Sequence, residues 1–190
     1  MSENLDRFRL DREKAVLLVV DVQQRLIPSM DTAVYASILR NIDLLIKGTA
    51  ELKMPVMATE QYSKGLGKTV PELSAACESI VVEKMTFGCC GEPEFLERLR
   101  DLGRSQVIVT GMEAHVCVYQ TVLGLIEGGY DVHLVRDAII SRGKIDYLSA
   151  LDNAARAGAV VTTAETVLFQ LLYTASAPEF KAVSGMIKSK

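Results

Sequence analysis

The stretch VIVTGMEAHVCVYQTV, residues 107–122, decides the fold. Its opening VIVT is an unbroken run of β-branched residues, the pattern of a strand covered on both faces. Its second half continues as a helix, with Val118, Val122, Leu125 and Ile126 at helical spacing. Strand and helix meet within a few residues around Gly111 and Cys117, which is the turn of an α/β unit. Working outward, the same kind of apolar run recurs as AVLLVV at 15–20, PVMA at 55–58, SIVV at 79–82 and QVIVT at 106–110, with weaker runs DVHLV at 131–135 and GAVVTT at 158–163. Between them lie segments of helical period, such as Ile38, Ile42, Leu45, Ile46 and Thr49, and later Phe95, Leu96, Leu99 and Leu102. This βαβα alternation predicts a doubly wound parallel sheet with right-handed crossovers.

The chain has 190 residues, which fits a single domain spanning 1–190, because one core serves up to roughly 250 residues. It is 49% hydrophobic and 24% charged with a net charge of -3, and the charges are scattered, which argues against a nucleic-acid surface. No apolar run reaches the roughly 18 residues that span a bilayer, and MSENLDRFRLDREK has no hydrophobic signal core. The expectation is a cytoplasmic protein that meets small molecules or copies of itself. The mean hydropathy of +0.20 and the apolar positions Leu168, Leu171, Leu172, Phe180, Val183 and Ile187 in two C-terminal helices point to a homo-oligomer, a dimer or tetramer. The alternative is that the two helices simply pack on their own domain.

Cys77, Cys89, Cys90 and Cys117 are irregularly spaced, so thiols rather than a disulfide framework are expected. His115 and His133 form no metal spacing with them, and neither metal nor other cofactor is expected. Cys89 and Cys90 read as packing or peripheral residues.

Three strand ends carry residues with chemical potential. Asp21 follows LLVV, where a half-desolvated carboxylate needs a partner or its pKa rises; it is either a general base or a turn aspartate. Lys84 ends SIVVEK, and a buried ammonium needs an anion, for which Asp21 is the candidate. Cys117 falls in the first turn of the helix if that helix starts near Val116, where unpaired N–H groups and the helix dipole favour thiolate. The alternative for Cys117 is a buried core thiol. The loop TEQYSKGLGKTVPEL, 59–73, follows a strand at the edge where open α/β sheets bind ligands, and is read as a substrate loop.

VVDVQ with Asp21, VEKMTF with Lys84 and GMEAHVCVYQT with Cys117 together resemble the isochorismatase-like cysteine hydrolase superfamily, in the same order and spacing. The likeness continues through TEQYSKGLGKTVPEL, DAIISRGKID and AGAVVTTAETVLFQLL, and is greatest to the isochorismatase domain-containing proteins. The resemblance implies a three-layer α/β fold with a six-stranded parallel sheet of order 3-2-1-4-5-6. It implies an Asp21, Lys84, Cys117 triad in which Asp21 takes the thiol proton, Lys84 holds Asp21 and the thiolate, and Cys117 attacks a carbonyl carbon. It also implies a cis peptide between Met112 and Glu113, with the N–H groups of Glu113 and Cys117 as oxyanion donors. Glu60, Gln61, Tyr62, Phe87 and His115 are expected around the substrate, with the alternative for His115 that it faces solvent or a subunit interface.

Where nicotinamidases of that superfamily place metal ligands after the second strand, this chain has TEQYSKG. Vinyl ether hydrolysis can proceed on an aspartate acid alone, so retention of a cysteine favours acyl chemistry. The leading expectation is therefore a metal-independent hydrolase opening the C–N bond of a small amide, ureido or carbamoyl compound through a thioester. The alternatives are a vinyl ether hydrolase, with Arg142 as its carboxylate-binding cation, and a non-catalytic binding or scaffold protein.

Overall fold

A computed structural model describes residues 5–77 and 80–189. Six strands, β1 (Ala15–Val20), β2 (Val56–Gln61), β3 (Val81–Lys84), β4 (Gln106–Met112), β5 (Asp131–Ile140) and β6 (Val160–Thr162), form one sheet in the order β3-β2-β1-β4-β5-β6. Every neighbouring pair is parallel. The connecting helices are α1 (Thr32–Glu51), the short α2 (Ser63–Leu66), α3 (Pro71–Cys77), α4 (Pro93–Asp101), α5 (Tyr119–Glu127), α6 (Lys144–Ala157), α7 (Ala164–Leu172) and α8 (Phe180–Lys188).

All six residues of β1 are buried because both faces of the sheet are covered. Leu17 and Val19 pack with α1, α3, α7 and α8, while Val16, Leu18 and Val20 pack with α4, α5 and α6. The long α1 begins at Asp31, whose side chain accepts the Val34 N–H at 2.9 Å and so satisfies one of the unpaired amides of its first turn. Ile38, Ile42, Leu45, Ile46 and Thr49 lie on its buried face.

Strand lengths depart from the apolar runs. β2 extends through Thr59, Glu60 and Gln61, where a loop was expected, because each polar side chain finds a buried partner. β5 is twice as long as the run DVHLV. The run expected at 79–82 is realised as Val81–Lys84, and residue 79 lies outside the described residues. At the C-terminus, Leu168, Leu171, Leu172 and Val183 are buried in this chain's own core, with Phe180 and Ile187 against it, so these positions are spent within the domain.

The sheet's order reverses between β1 and β4, where Val20 pairs with Gly111. Gly111 has φ +117° and a Cβ there would collide with the Val20 carbonyl oxygen, so the close approach of the two strands requires glycine. Asp21 follows β1 with φ +50°, a left-handed turn that aspartate tolerates better than most residues. Chain reversal at this crevice is where doubly wound sheets place their sites.

Candidate active site

Asp21, Lys84 and Cys117 meet at the carboxyl edge of the sheet. Asp21 and the Lys84 side chain are fully buried, and Lys84 Nζ lies 2.7 Å from Asp21 Oδ2. The ammonium donates to Gln61 Oε1 at 2.7 Å, Phe87 O at 2.8 Å and Thr86 O at 3.1 Å. Its three protons are thereby committed, and the contact with Asp21 is chiefly Coulombic. Thr59 donates its hydroxyl to Asp21 Oδ1 at 2.7 Å. The Cys117 thiol completes the surroundings of the carboxyl group, and each shifts the other's protonation.

The helix behind Cys117 starts earlier than expected. One π turn, Ala114–Val118, leads into α5, and the amides of Val116 and Val118 both donate to Glu113 O, at 3.1 and 3.2 Å. Thr121 donates to Cys117 O at 2.7 Å and accepts the Cys89 N–H at 2.9 Å. The Met112–Glu113 peptide is cis.

The protonation of the resting site departs from the sequence expectation. Burial, aided by the Asp21 carboxylate, pushes the Cys117 thiol up to about 12, although Lys84 opposes it. A position at the start of a helix was expected to favour thiolate; desolvation and a neighbouring anion outweigh the dipole. Burial also raises Asp21, against the lowering by Lys84, Thr59 and Cys117. The site thus holds a neutral thiol beside a base more proton-hungry than an ordinary aspartate. Such a pair transfers its proton during attack rather than before it.

Of the residues expected around a substrate, the structure divides them. Glu60 faces the opposite side of β2, where its buried carboxylate accepts Thr69 N at 2.7 Å, Thr69 Oγ1 at 2.8 Å and Lys68 Nζ at 3.0 Å. It is not brought to the site; alternation along an extended strand puts Thr59 and Gln61 there instead. Gln61 is buried and holds Lys84 and Met85 O, while its backbone is clasped by the Gln23 amide. Tyr62 and Phe87 stay exposed at the ends of β2 and β3, with Met85 beside them. His115 is half-buried and bonds Ser141 Oγ through Nδ1 at 2.9 Å. Arg142 is exposed, its N–H donating to Glu113 Oε2 at 3.2 Å and its Nε 3.7 Å from the same oxygen.

Thr59 and Thr121 had not been singled out, and Cys89 had been read as a packing or peripheral residue. Thr59 and Cys89 touch the site, and burial pushes the Cys89 thiol up to about 12. The available signal for Thr59 was its place directly after an apolar run, as for Asp21.

The Isochorismatase domain family model matches residues 15–166. Isochorismatase domain-containing protein 1 of Danio rerio is 37% identical over 92% of this chain, which spans only 61% of that protein's length. Isochorismatase domain-containing protein 2 of Xenopus laevis is 36% identical over 94% of this chain and 86% of its own. Among solved structures, MAR1 ribonuclease from Caenorhabditis elegans superposes with a TM-score of 0.88 at 34% identity, covering 95% of this chain and 92% of that one. With the sheet order and the matched residues in hand, the chain belongs to the isochorismatase family.

Proposed function

We propose that this protein is a cysteine hydrolase that opens the C–N bond of a small amide, ureido or carbamoyl compound through a thioester on Cys117. The observation that carries the reading is the fully buried Asp21, ion-paired to Lys84 at 2.7 Å, with the Cys117 thiol close enough for each to shift the other's protonation. Asp21 accepts the thiol proton as Cys117 Sγ bonds to the carbonyl carbon. The oxyanion so formed is held by the N–H groups of Glu113 and Cys117 at the head of the π turn. Lys84 keeps the charge on this edge balanced throughout. The tetrahedral adduct collapses by breaking the C–N bond, and the amine leaves with the proton that Asp21 held. Water, deprotonated by Asp21, then cleaves the thioester to release the acid and restore the thiol.

Tyr62, Phe87 and His115 are placed around the substrate. A small compound is favoured over RNA, because the net charge is -3 and Tyr62, Met85 and Phe87 are exposed after β2 and β3, alongside Lys64 and Lys68. No metal is assigned to the reaction: Glu60, the acidic residue at the end of β2, is committed to Thr69 and Lys68 on the other face. No helix of the described residues is long and apolar enough to cross a membrane. A cytoplasmic setting suits four free thiols. Self-association is assigned here to the groove between residues 8–13 and α7, which exposes Phe8, Phe169 and Tyr173.

The test is ammonia release from a panel of small primary amides, ureas and carbamates, with a vinyl ether acid and RNA as controls. Release from one amide class that disappears in Cys117→Ala and Asp21→Asn is expected. Cleavage of the vinyl ether, or of RNA, that survives Cys117→Ala would overturn the reading.

A further inference from the structure

The thiol of Cys89 has no part in the steps above, yet it is fully buried among the groups that perform them. Its Sγ donates to Thr59 Oγ1 at 3.7 Å, and Thr59 Oγ1 donates to Asp21 Oδ1 at 2.7 Å. A hydroxyl carries one proton and rotates freely until its neighbours decide where that proton goes. By donating to the Thr59 oxygen, Cys89 directs the hydroxyl proton to Asp21. The turn that carries Cys89 is itself held: Thr86 O and Phe87 O accept from Lys84, and a Cβ on Gly88 would press on Gln120 backbone at 3.2 Å. The Cys89 N–H, in turn, reaches Cys117 O through Thr121.

We infer that Cys89 is a positioning residue of this site, its S–H acting through the Thr59 hydroxyl to fix the direction and basicity of the Asp21 carboxylate toward Cys117. The inference rests on the reading of Asp21 as the base. The groups that face Asp21 are Lys84 from β3, the Thr59 hydroxyl from β2, Cys117 from the π turn and Cys89 from the turn after β3. A hydrogen bond to the ionised form of a carboxyl group favours that form. Weakening the Thr59 bond therefore raises Asp21 further and moves the acidic limb of Cys117 reactivity to higher pH.

The experiment measures the rate of Cys117 alkylation by iodoacetamide against pH, read by peptide mass spectrometry, with melting temperatures in parallel. Thr59→Val is expected to move the acidic limb up by about one pH unit, the scale of one hydrogen bond to a charged group. Cys89→Ala is expected to move it by about half as much, since the Thr59 hydroxyl is left free rather than removed. Cys89→Val, which fills the thiol's space without its proton, repeats the measurement with less loss of packing. In the double variant Cys89→Ala/Thr59→Val the shift should not exceed that of Thr59→Val alone, because the two residues act in series, and Thr59→Ser should restore the wild-type limb. An unmoved limb in both Cys89 variants alongside a lowered melting temperature would show a packing role only and overturn the inference. So would shifts that add in the double variant. If Asp21→Asn leaves the wild-type limb in place, Asp21 is not the base, and the reading of the site fails before the inference is reached.

Discussion

Lys84→Met keeps the length of the stem and removes the charge. In the wild type the ammonium neutralises a carboxylate with no exposed surface, at 2.7 Å. Removing one partner of a buried pair costs about 3–5 kcal/mol, because the other charge is left uncompensated. Asp21 can escape by keeping its proton, and the cost of that escape follows from linkage. The unfolded carboxyl titrates near its ordinary 3.8, so holding it protonated in the fold at pH 7 costs about 4 kcal/mol, within the same range. The sign is that of a carboxylate whose folded pKa lies above its unfolded one: stability is retained below about 4 and lost as pH rises toward the folded value. The excess destabilisation of Lys84→Met over wild type should therefore be smaller at pH 5 than at pH 7, by up to about 2.7 kcal/mol. Urea denaturation followed by far-ultraviolet circular dichroism measures this, the chain having no tryptophan. The double variant Asp21→Asn/Lys84→Met, with neither charge, should be more stable at pH 7 than Lys84→Met alone. A pH-independent loss, or single losses that add up to that of the double variant, would refute the account of Lys84 as the counter-ion of Asp21.

Gly111→Ala should be poorly folded or destabilised by several kcal/mol, about what a left-handed backbone combined with a backbone clash costs, as read from expression yield and melting temperature. His133, fully buried in β5 with its pKa pushed by burial from 6.5 to about 4, must be charged in the unfolded chain at pH 5 but not in the fold. Stability should therefore fall by up to about 3 kcal/mol between pH 6.5 and 4, and His133→Phe should remove that part of the slope in urea titrations. Glu60→Gln weakens the clasp on Thr69 and Lys68 on the far face of the sheet. It should lower the melting temperature while leaving kcat within about threefold, and a loss of kcat as large as that of Asp21→Asn would place Glu60 in the chemistry after all.

The parts of the fold that were legible in the sequence are those where burial is apolar on both faces. AVLLVV and QVIVT read directly as strands, and the order that makes them the two central ones came from the family resemblance. What escaped was polar burial. Thr59, Glu60 and Gln61 look like the start of a loop because no periodicity reports that Asp21, Thr69 and Lys84 await them in space. Cys89 was read as packing or peripheral; it does pack in the core, but its hydrogen-bond partners, Thr59 and Thr121, come from a distant strand and helix and were not legible. The C-terminal leucines show the converse. Their apolar character was legible, but whether it served an interface or this chain's own core depended on α1, against which α7 and α8 pack. Likewise the helix start at Cys117 was visible, while the desolvation that keeps its thiol protonated depends on three other segments of chain.

The most direct measurement is peptide mapping of the acid-quenched enzyme during turnover of the best amide from the substrate panel. The account predicts the acyl mass of the substrate on the peptide that carries Cys117, the same acyl group diverted to a hydroxamate when hydroxylamine is present, and no turnover in Cys117→Ala. Turnover by Cys117→Ala at the wild-type rate, with no acyl group on Cys117 in the wild type, would contradict it.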